Sequence, residues 1–580
     1  MRFRSTPAHR IGAFSFIAFL AVPSLLGAQH AADLLFPDDA AYEAAFLGAI
    51  RSGRVPDTNV FPLFGNEVPK TAAESTSNGH SGLSASFSTP TLYYDSPAEA
   101  GELASNLMSD PSLTPRAFPE IQHFLALVPD PINVDFRLYP SDHLSFRSDL
   151  MVNYRRDRIT GQSSTFQWGL NEWMGNLLAA VEFPRNAYLA WSGEGFGAAF
   201  GRFPSGMGWG RLSGSILNPR ASWYDQGRFY LQKGSLRFTG MLATSSAQLS
   251  AAEREIQFRR LPDGKSFWDS LNDHDFAAAN TALKLASWHQ VEWKPTDWLS
   301  LGFAEMGMVG GRVPSLAFLL PSVIWHNTYA AGYANVAASF SLAAVPLPGL
   351  LISGEFLIDD TRSTDEPTSS KPNSFAWLGT VLWSPAPIDG LGFDIGAEYQ
   401  HVDRWTYVRW QPYLSMYQRQ TLTGGYYGLD QSLGAPWGPD SDSIGVYAQV
   451  RLKSGAALEL RYEFVRKGPI YQGMASKLWV TADFDNDPST NDPPQYIWVP
   501  VYYDYDKYAG DGELAKILAR PDEFRHLVSL TASFPLRPGL EAKLASTFGL
   551  YRNFGNVSGM TNLALLVYAG IVVHLPVVGR

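Results

Sequence analysis

Between Ile444 and Phe464 the side chains alternate strictly in polarity. Ile444, Val446, Ala448, Val450 and Leu452 fall on one side, and Gly445, Tyr447, Gln449, Arg451 and Lys453 on the other. Ser454-Gly455 turns the chain, and Leu458, Leu460, Tyr462 and Phe464 then alternate with Glu459, Arg461 and Glu463. A period of two puts successive side chains on opposite faces of a strand, so this stretch reads as an antiparallel hairpin with one apolar and one charged face. A soluble sheet would need a second sheet over the apolar face. A membrane barrel turns that face to lipid and keeps the charges in the lumen.

The unit recurs. Val336–Leu342 returns as Leu350–Ile358, Val528–Phe534 as Leu540–Phe548, and Phe375–Trp383 as Leu391–Tyr399. Trp288–Trp293 returns as Leu299–Phe303, and Phe229–Leu231 as Leu236–Leu242. Weaker copies lie at 188–200 and 134–154, and most units are closed by Pro/Gly turns. These hairpins supply about 16 strands, and the stretches 166–181 and 563–575 bring the count to about 18, an even number as bacterial barrels require. Connections inside hairpins are short. Those between them are long, at about 44 residues (243–287 and 400–443) and about 62 (465–526), the alternation expected of periplasmic turns and outer loops. The expected fold is all-β, a transmembrane antiparallel β-barrel of about 16–18 strands with a small helical N-terminal plug or cap.

Composition agrees. The chain is only 17% charged but 13% aromatic, and its mean hydropathy of −0.11 is too low for a polytopic helical protein. Zero Cys excludes disulfides, thiolate metal sites and a Cys nucleophile. Arg2, Arg4 and Arg10 precede an apolar stretch from Ile11 to Leu26 and the small residues Gly27 and Ala28, so residues 1–28 read as a cleaved signal peptide. Their loss leaves 42 basic against 55 acidic residues, a charge of −13, which argues against a nucleic-acid partner. Residues 29–130 carry three helical patterns, after Asp39, at Ser96-Pro97-Ala98-Glu99 and at Phe118-Pro119-Glu120, around a Ser/Thr/Gly-rich linker at 71–90. We therefore expect a helical periplasmic plug or cap at 29–130 and the barrel, with long extracellular loops, at 131–580. The destination is the outer membrane of a Gram-negative-type bacterium, with membrane lipid and the barrel insertion machinery as partners. The chain ends on Gly579-Arg580 rather than on the aromatic residue common to such barrels.

Searches for catalytic patterns return nothing. No two of the eleven His residues stand three or four apart, and neither a G-x-S-x-G elbow nor a Walker A loop is present. No catalytic residue, metal or cofactor is expected. The acidic loop around Asp483–Asp492 lacks the glycine and glutamate of an EF-hand and reads as solvated. The loop at 404–440 concentrates Trp405, Tyr407, Arg409, Trp410, Tyr413 and Trp437. Flat aromatic faces stack on sugar rings while Arg and Asp hydrogen-bond hydroxyls, so this loop is the candidate surface for a polysaccharide.

Spaced motifs at about 185–360 resemble the Wzi family of capsule-assembly outer-membrane proteins. They are Gly201-Arg202-Phe203 with Trp209-Gly210 and Gly214-Ser215-Ile216-Leu217; His289-Gln290-Val291-Glu292-Trp293-Lys294-Pro295 with Leu301-Gly302-Phe303-Ala304-Glu305 and Gly310-Gly311-Arg312; and Gly354-Glu355-Phe356-Leu357-Ile358-Asp359-Asp360. The resemblance implies an 18-stranded barrel, helices at the periplasmic end, and non-enzymatic, lectin-like attachment of surface polysaccharide for capsule or exopolysaccharide assembly. It adds Arg202, Trp209, Glu305, Arg312, Asp359 and Asp360 as candidate binding residues. Alternation from Leu299 puts Glu305 on the apolar face, so a bulge or strand end is expected before it. The alternative function is an outer-membrane porin or substrate channel, with an adhesin or purely structural barrel as a third reading.

Overall fold

The computed structural model describes residues 30–67, 82–88, 92–95, 127–154, 179–182, 184–221, 223–245, 284–310, 324–325, 334–361, 372–409, 414–422, 427–471, 479–483, 496–500 and 512–575. The stretches 1–29, 96–126 and 484–495, which hold the expected signal peptide, two of the expected helices and most of the acidic loop, lie outside the described residues.

A single antiparallel sheet closes on itself as a barrel of 18 strands. We number them along the chain. β1 is Gly82–Ser88 continued by Leu92–Asp95, β2 Ile132–Ser141, β3 Leu144–Tyr154, and β4 Ala179–Glu182 continued by Ala187–Gly193. β5 is Phe196–Phe203, β6 Tyr224–Lys233, β7 Leu236–Ser245, β8 Lys284–Thr296 and β9 Leu299–Gly310. β10 is Ala334–Leu347, β11 Leu350–Asp360, β12 Ser374–Trp383, β13 Gly392–Val402 and β14 Ser441–Arg451. β15 is Ala457–Lys467, β16 Glu523–Arg537, β17 Leu540–Arg552 and β18 Thr561–Leu575. The hairpins expected from the alternation are present, with Leu458 opposite Val450 and Leu544 opposite Ala532.

Closure differs from expectation. β18 pairs with both pieces of β1, Val573 facing Phe87 and Val567 facing Tyr93. The barrel therefore begins at Gly82, inside the stretch assigned by sequence to a helical plug. Leu83 and Phe87 of this strand are exposed and the serines between them are not, which is a period of two hidden in a Ser-rich composition.

Outward residues form an exposed apolar wall: Leu189, Phe200, Leu231, Phe340, Val381, Ile444, Leu460 and Leu565 are each more than a third exposed. Such a continuous apolar surface is stable only against lipid. The inward face is polar, with Arg237, Gln290, Glu292, Glu355, Asp394, Glu398, Arg461 and Glu463 buried. A barrel of this size encloses a wide lumen unless chain fills it. Here chain fills it, in three layers.

At the short-turn end lie residues 30–67. Helix α1 (Ala40–Arg51) follows Asp39, whose carboxylate accepts the Phe36 N–H at 2.7 Å. Leu47 and Ile50 on its buried face pack against Ala343, Val345, Leu351 and Leu382 of the wall. Carbonyl and amide groups join the turns directly, Gly349 N–H to Ile50 O at 2.8 Å and Val55 N–H to Asp297 O at 2.8 Å. Arg51 pairs with Asp394 at 3.2 Å, Lys294 with Asp57 at 2.9 Å, and Arg451 with Glu43. This segment consists of one helix and extended chain.

Candidate functional site

The middle layer is the connection between β5 and β6. Phe203 and Tyr224 are direct register partners, so a tight turn would suffice to join them. Instead, residues 204–221 enter the lumen. Their backbone amides need acceptors away from water, and wall carboxylates supply them. Glu355 of β11 accepts the Trp209 N–H at 3.0 Å and the Ser215 N–H at 3.1 Å through separate oxygens. Glu398 of β13 accepts the Arg211 and Leu212 N–H groups at 2.7 and 3.0 Å. Gly208 sits at φ 129°, and a Cβ there would fall 2.4 Å from Glu355 Oε1. This close approach of backbone to carboxylate therefore requires glycine. Side chains complete the hold: Arg211 pairs with Glu459, Arg220 with Glu463 at 2.5 Å, and Trp288 donates to Ile216 O at 2.9 Å. Burial would lower the Arg211 pKa, but Glu459 and Tyr447 outweigh it and raise the guanidinium above its ordinary value.

The third layer is formed by residues 403–409, 414–422 and 427–440 at the long-loop end. Tyr407 donates to Ser215 O at 2.6 Å, and its own N–H reaches Asp359 Oδ2 at 2.8 Å. Asn218 donates its side-chain amide to Ser432 O at 2.9 Å. The guanidinium groups of Arg220 and Arg525 both lie over the Trp437 ring, at 5.4 and 5.3 Å from its centre. Met416, Leu433 and Ala435 share one buried cluster with Met207, Leu217, Trp288 and Met306 of the layers and wall beneath.

This arrangement corrects the expected binding surface. Trp405, Tyr407 and Trp437 are 3%, 0% and 8% exposed, so they are packing residues of a lumen closure rather than faces offered to a sugar. The apolar area buried by a Trp or Tyr is large enough to fold a loop inward. Trp209 is likewise buried, within the middle layer. Arg409 bonds Asn335 at 2.8 Å and pairs with Asp360 at 3.2 Å at the rim, while Asp359 faces inward to Tyr407. Trp410, Tyr413 and Arg312 lie outside the described residues. Arg202 faces outward, in a two-pronged pair with Asp225 at 2.6 and 2.8 Å.

A register shift on β8 lies opposite Leu299–Leu301, but β9 itself runs in unbroken register with β10 from Leu299 to Glu305, so no bulge turns Glu305 inward. It shares parity with Phe303, whose partner Phe340 is 51% exposed, so it does stand on the outer wall. It is nevertheless fully buried. His289 Nε2 lies 2.8 Å from its carboxylate, the Trp325 N–H donates to it at 2.9 Å, and the Trp325 ring covers His289 at 4.0 Å. A charge facing lipid is tolerated here because a paired base and a Trp lid remove it from hydrocarbon.

Sequence reasoning singled out neither Glu398 nor Arg220, and named Glu355 only within a motif. The available signal was an inward carboxylate facing a long non-strand insertion rich in Gly, Ser and Pro.

A cavity of about 160 Å³ remains between α1, residues 208–211 and β12–β14. Trp209, Tyr447, Asp394, Glu398 and Arg451 line it. At about 30 Å³ per water it has room for about five waters. Near the same end, the Asp39 carboxyl is pushed up to about 6, burial outweighing the Phe36 N–H that pulls the other way. No group of His, Asp and Glu arranged to hold a metal occurs among the described residues.

The architecture is that of an outer-membrane β-barrel. No protein-family model matches the chain. No curated protein matches it either. Solved structures do. The chain is similar to Wzi of Escherichia coli, an outer membrane protein involved in group 1 capsule assembly and described as a carbohydrate-binding β-barrel. The identity is 12%, the TM-score 0.51, and the match covers 93% of this chain and 99% of that one. Pseudomonas aeruginosa OccD3 matches at 9% identity and a TM-score of 0.38, over 86% of this chain and 92% of that one. At these identities the likeness to Wzi is one of fold.

Proposed function

We propose that this chain is a non-enzymatic outer-membrane anchor that binds surface polysaccharide at its long-loop end and supports capsule or exopolysaccharide attachment. The observation that carries this reading is the three-layered filling of the lumen. A diffusion channel needs a continuous aqueous path, whereas a holdfast needs a rigid body in the membrane and a fixed outer face. The likeness to a barrel described as carbohydrate-binding points the same way. With the 404–440 aromatics turned inward, the contact falls to polar groups of the rim, among them Arg404, which is 44% exposed, and the Arg409–Asp360 pair. In this reading residues 1–28 are removed on export, and the barrel insertion machinery places residues 82–575 in the membrane.

The test is a chromosomal deletion complemented by wild type or by Arg404→Ala/Arg409→Ala, with cell-associated and shed polysaccharide measured separately. The expected result is shedding in the deletion strain, rescue by wild type and poor rescue by the double variant. Unchanged retention in the deletion strain would refute the anchor.

A further inference from the structure

The outer wall carries a trough of about 900 Å³ across β5–β8, on the lipid side. It exists because Gly227 leaves an outward position without a side chain beside the Phe200 ridge, while the neighbouring Phe229 ring lies flat over Gly240 and floors the trough there. Phe200 is 73% exposed, so the ridge stands free on one flank. The other flank is the sealed His289–Glu305 pair under Trp325.

The polarity of the trough runs in one direction. Going from the short turns to the rim, the outward positions of β6 read Leu231, Phe229, Gly227, Asp225. Those of β7 read Leu236, Phe238, Gly240, Leu242, Thr244. β5 ends its outward series on Phe200 and Arg202. Arg202 and Asp225 are register partners, so the polar groups meet at one level. That level is eight residues from the turn at Lys233. At ~3.4 Å per residue and ~40° of tilt it stands roughly 21 Å above the turns, near the top of an apolar band ~25 Å tall. Hydrocarbon faces the lower trough and headgroups face its upper end.

The polar end is organised. The Arg202 guanidinium stacks on Trp223 at 3.8 Å and is held in plane by both oxygens of Asp225. Its Nη1 makes no hydrogen bond among the described residues and remains available to an oxyanion. A bidentate carboxylate thus orients the guanidinium so that its free edge can meet a phosphate at headgroup level.

We propose that this trough is a specific site for a phosphate-bearing acyl lipid of the outer leaflet, one acyl chain lying over Gly227 and against the Phe229 ring, and the phosphate meeting Arg202. The site lies outside the lumen and does not depend on the polysaccharide reading. A lipid held here would fix the barrel's depth on one flank.

The full chain in mild detergent would be exchanged against diphosphoryl lipid A and examined by native mass spectrometry. Wild type is expected to retain one lipid per chain. Gly227→Leu, whose Cβ would meet Phe200 at an ordinary 3.6 Å, should fill the trough and reduce retention at least about tenfold. Arg202→Gln should weaken retention by about tenfold, and more for the diphosphoryl than for a dephosphorylated lipid. Folding of each variant is checked by heat-modifiable gel mobility, and Leu242→Trp fills the same trough should Gly227→Leu fail to fold. Equal retention by wild type and a folded filled variant would mean ordinary annular lipid and overturn the proposal, as would a wild type that retains none.

Discussion

Glu355 and Glu398 each replace water for buried backbone. A carboxylate accepting two amides offsets the desolvation of three polar groups at once, and no neutral side chain of similar size accepts as strongly. Removing one therefore leaves donors unsatisfied rather than merely deleting a contact. Glu355→Ala is expected to weaken the docking of residues 204–221 by about 2 kcal/mol. The measurement is amide exchange at Trp209 and Ser215, whose protection should fall more than tenfold while strand amides hold. Unchanged exchange at those two amides would remove Glu355 from this role. The alternation that places Glu355 and Glu398 inward was legible in the sequence, since each sits two residues from other inward side chains. What they bind was not. The partners lie over a hundred residues away in a segment with no period of its own, and a carboxylate in the lumen reads the same whether it meets water, Arg or an amide.

At the level of elements, the strands most clearly patterned in sequence were read correctly because lipid and lumen impose opposite demands on neighbouring residues. β1 was missed because its alternation is Leu83, Ala85, Phe87 against Ser84, Ser86, Ser88, and serine runs also describe linkers. It pairs with β18, at the other end of the chain, and with β2 only across the long stretch 96–131, so no tight hairpin announces it. The aromatic loop at 404–440 was misplaced for a related reason: aromatics that bind a ligand and aromatics that bury a loop have the same composition. The position of β1 yields an outcome the helical-plug assignment does not. Deleting residues 30–67 removes the short-turn layer and leaves all 18 strands, so the barrel should still form and resist detergent at room temperature. Deleting 30–95 removes β1 and leaves unpaired the edges of β2 and β18 that face it, so heat-modifiable barrel should be lost. Equal yields of folded barrel from both deletions would show that β1 is dispensable.

Taken whole, the molecule places most of its unusual sequence inside itself. Three stretches without barrel strands stack along the axis, 30–67, 204–221 and the described parts of 403–440 (403–409, 414–422 and 427–440), and the middle one is bonded to the layer on either side. Gly206-Met207 pairs with Val60-Phe61 below, and Ser215 and Asn218 bond to Tyr407 and Ser432 above. Closure is therefore redundant, and a conductance experiment on the first layer alone would mislead. In planar bilayers the intact chain should show no stable open level. Removing 30–67 should change little, because the Glu355 and Glu398 anchors and the buried Tyr407 and Trp437 remain. Joining Phe203 to Tyr224 by a short Gly/Ser turn in the same background removes the middle layer, and with it the acceptors and donors that hold the upper one inward. That double variant should conduct at least about tenfold above the single deletion, as expected of an emptied lumen of this strand number. A steady, ion-selective current from the intact chain would invert the assignment, making the layers a selectivity path and the protein a channel.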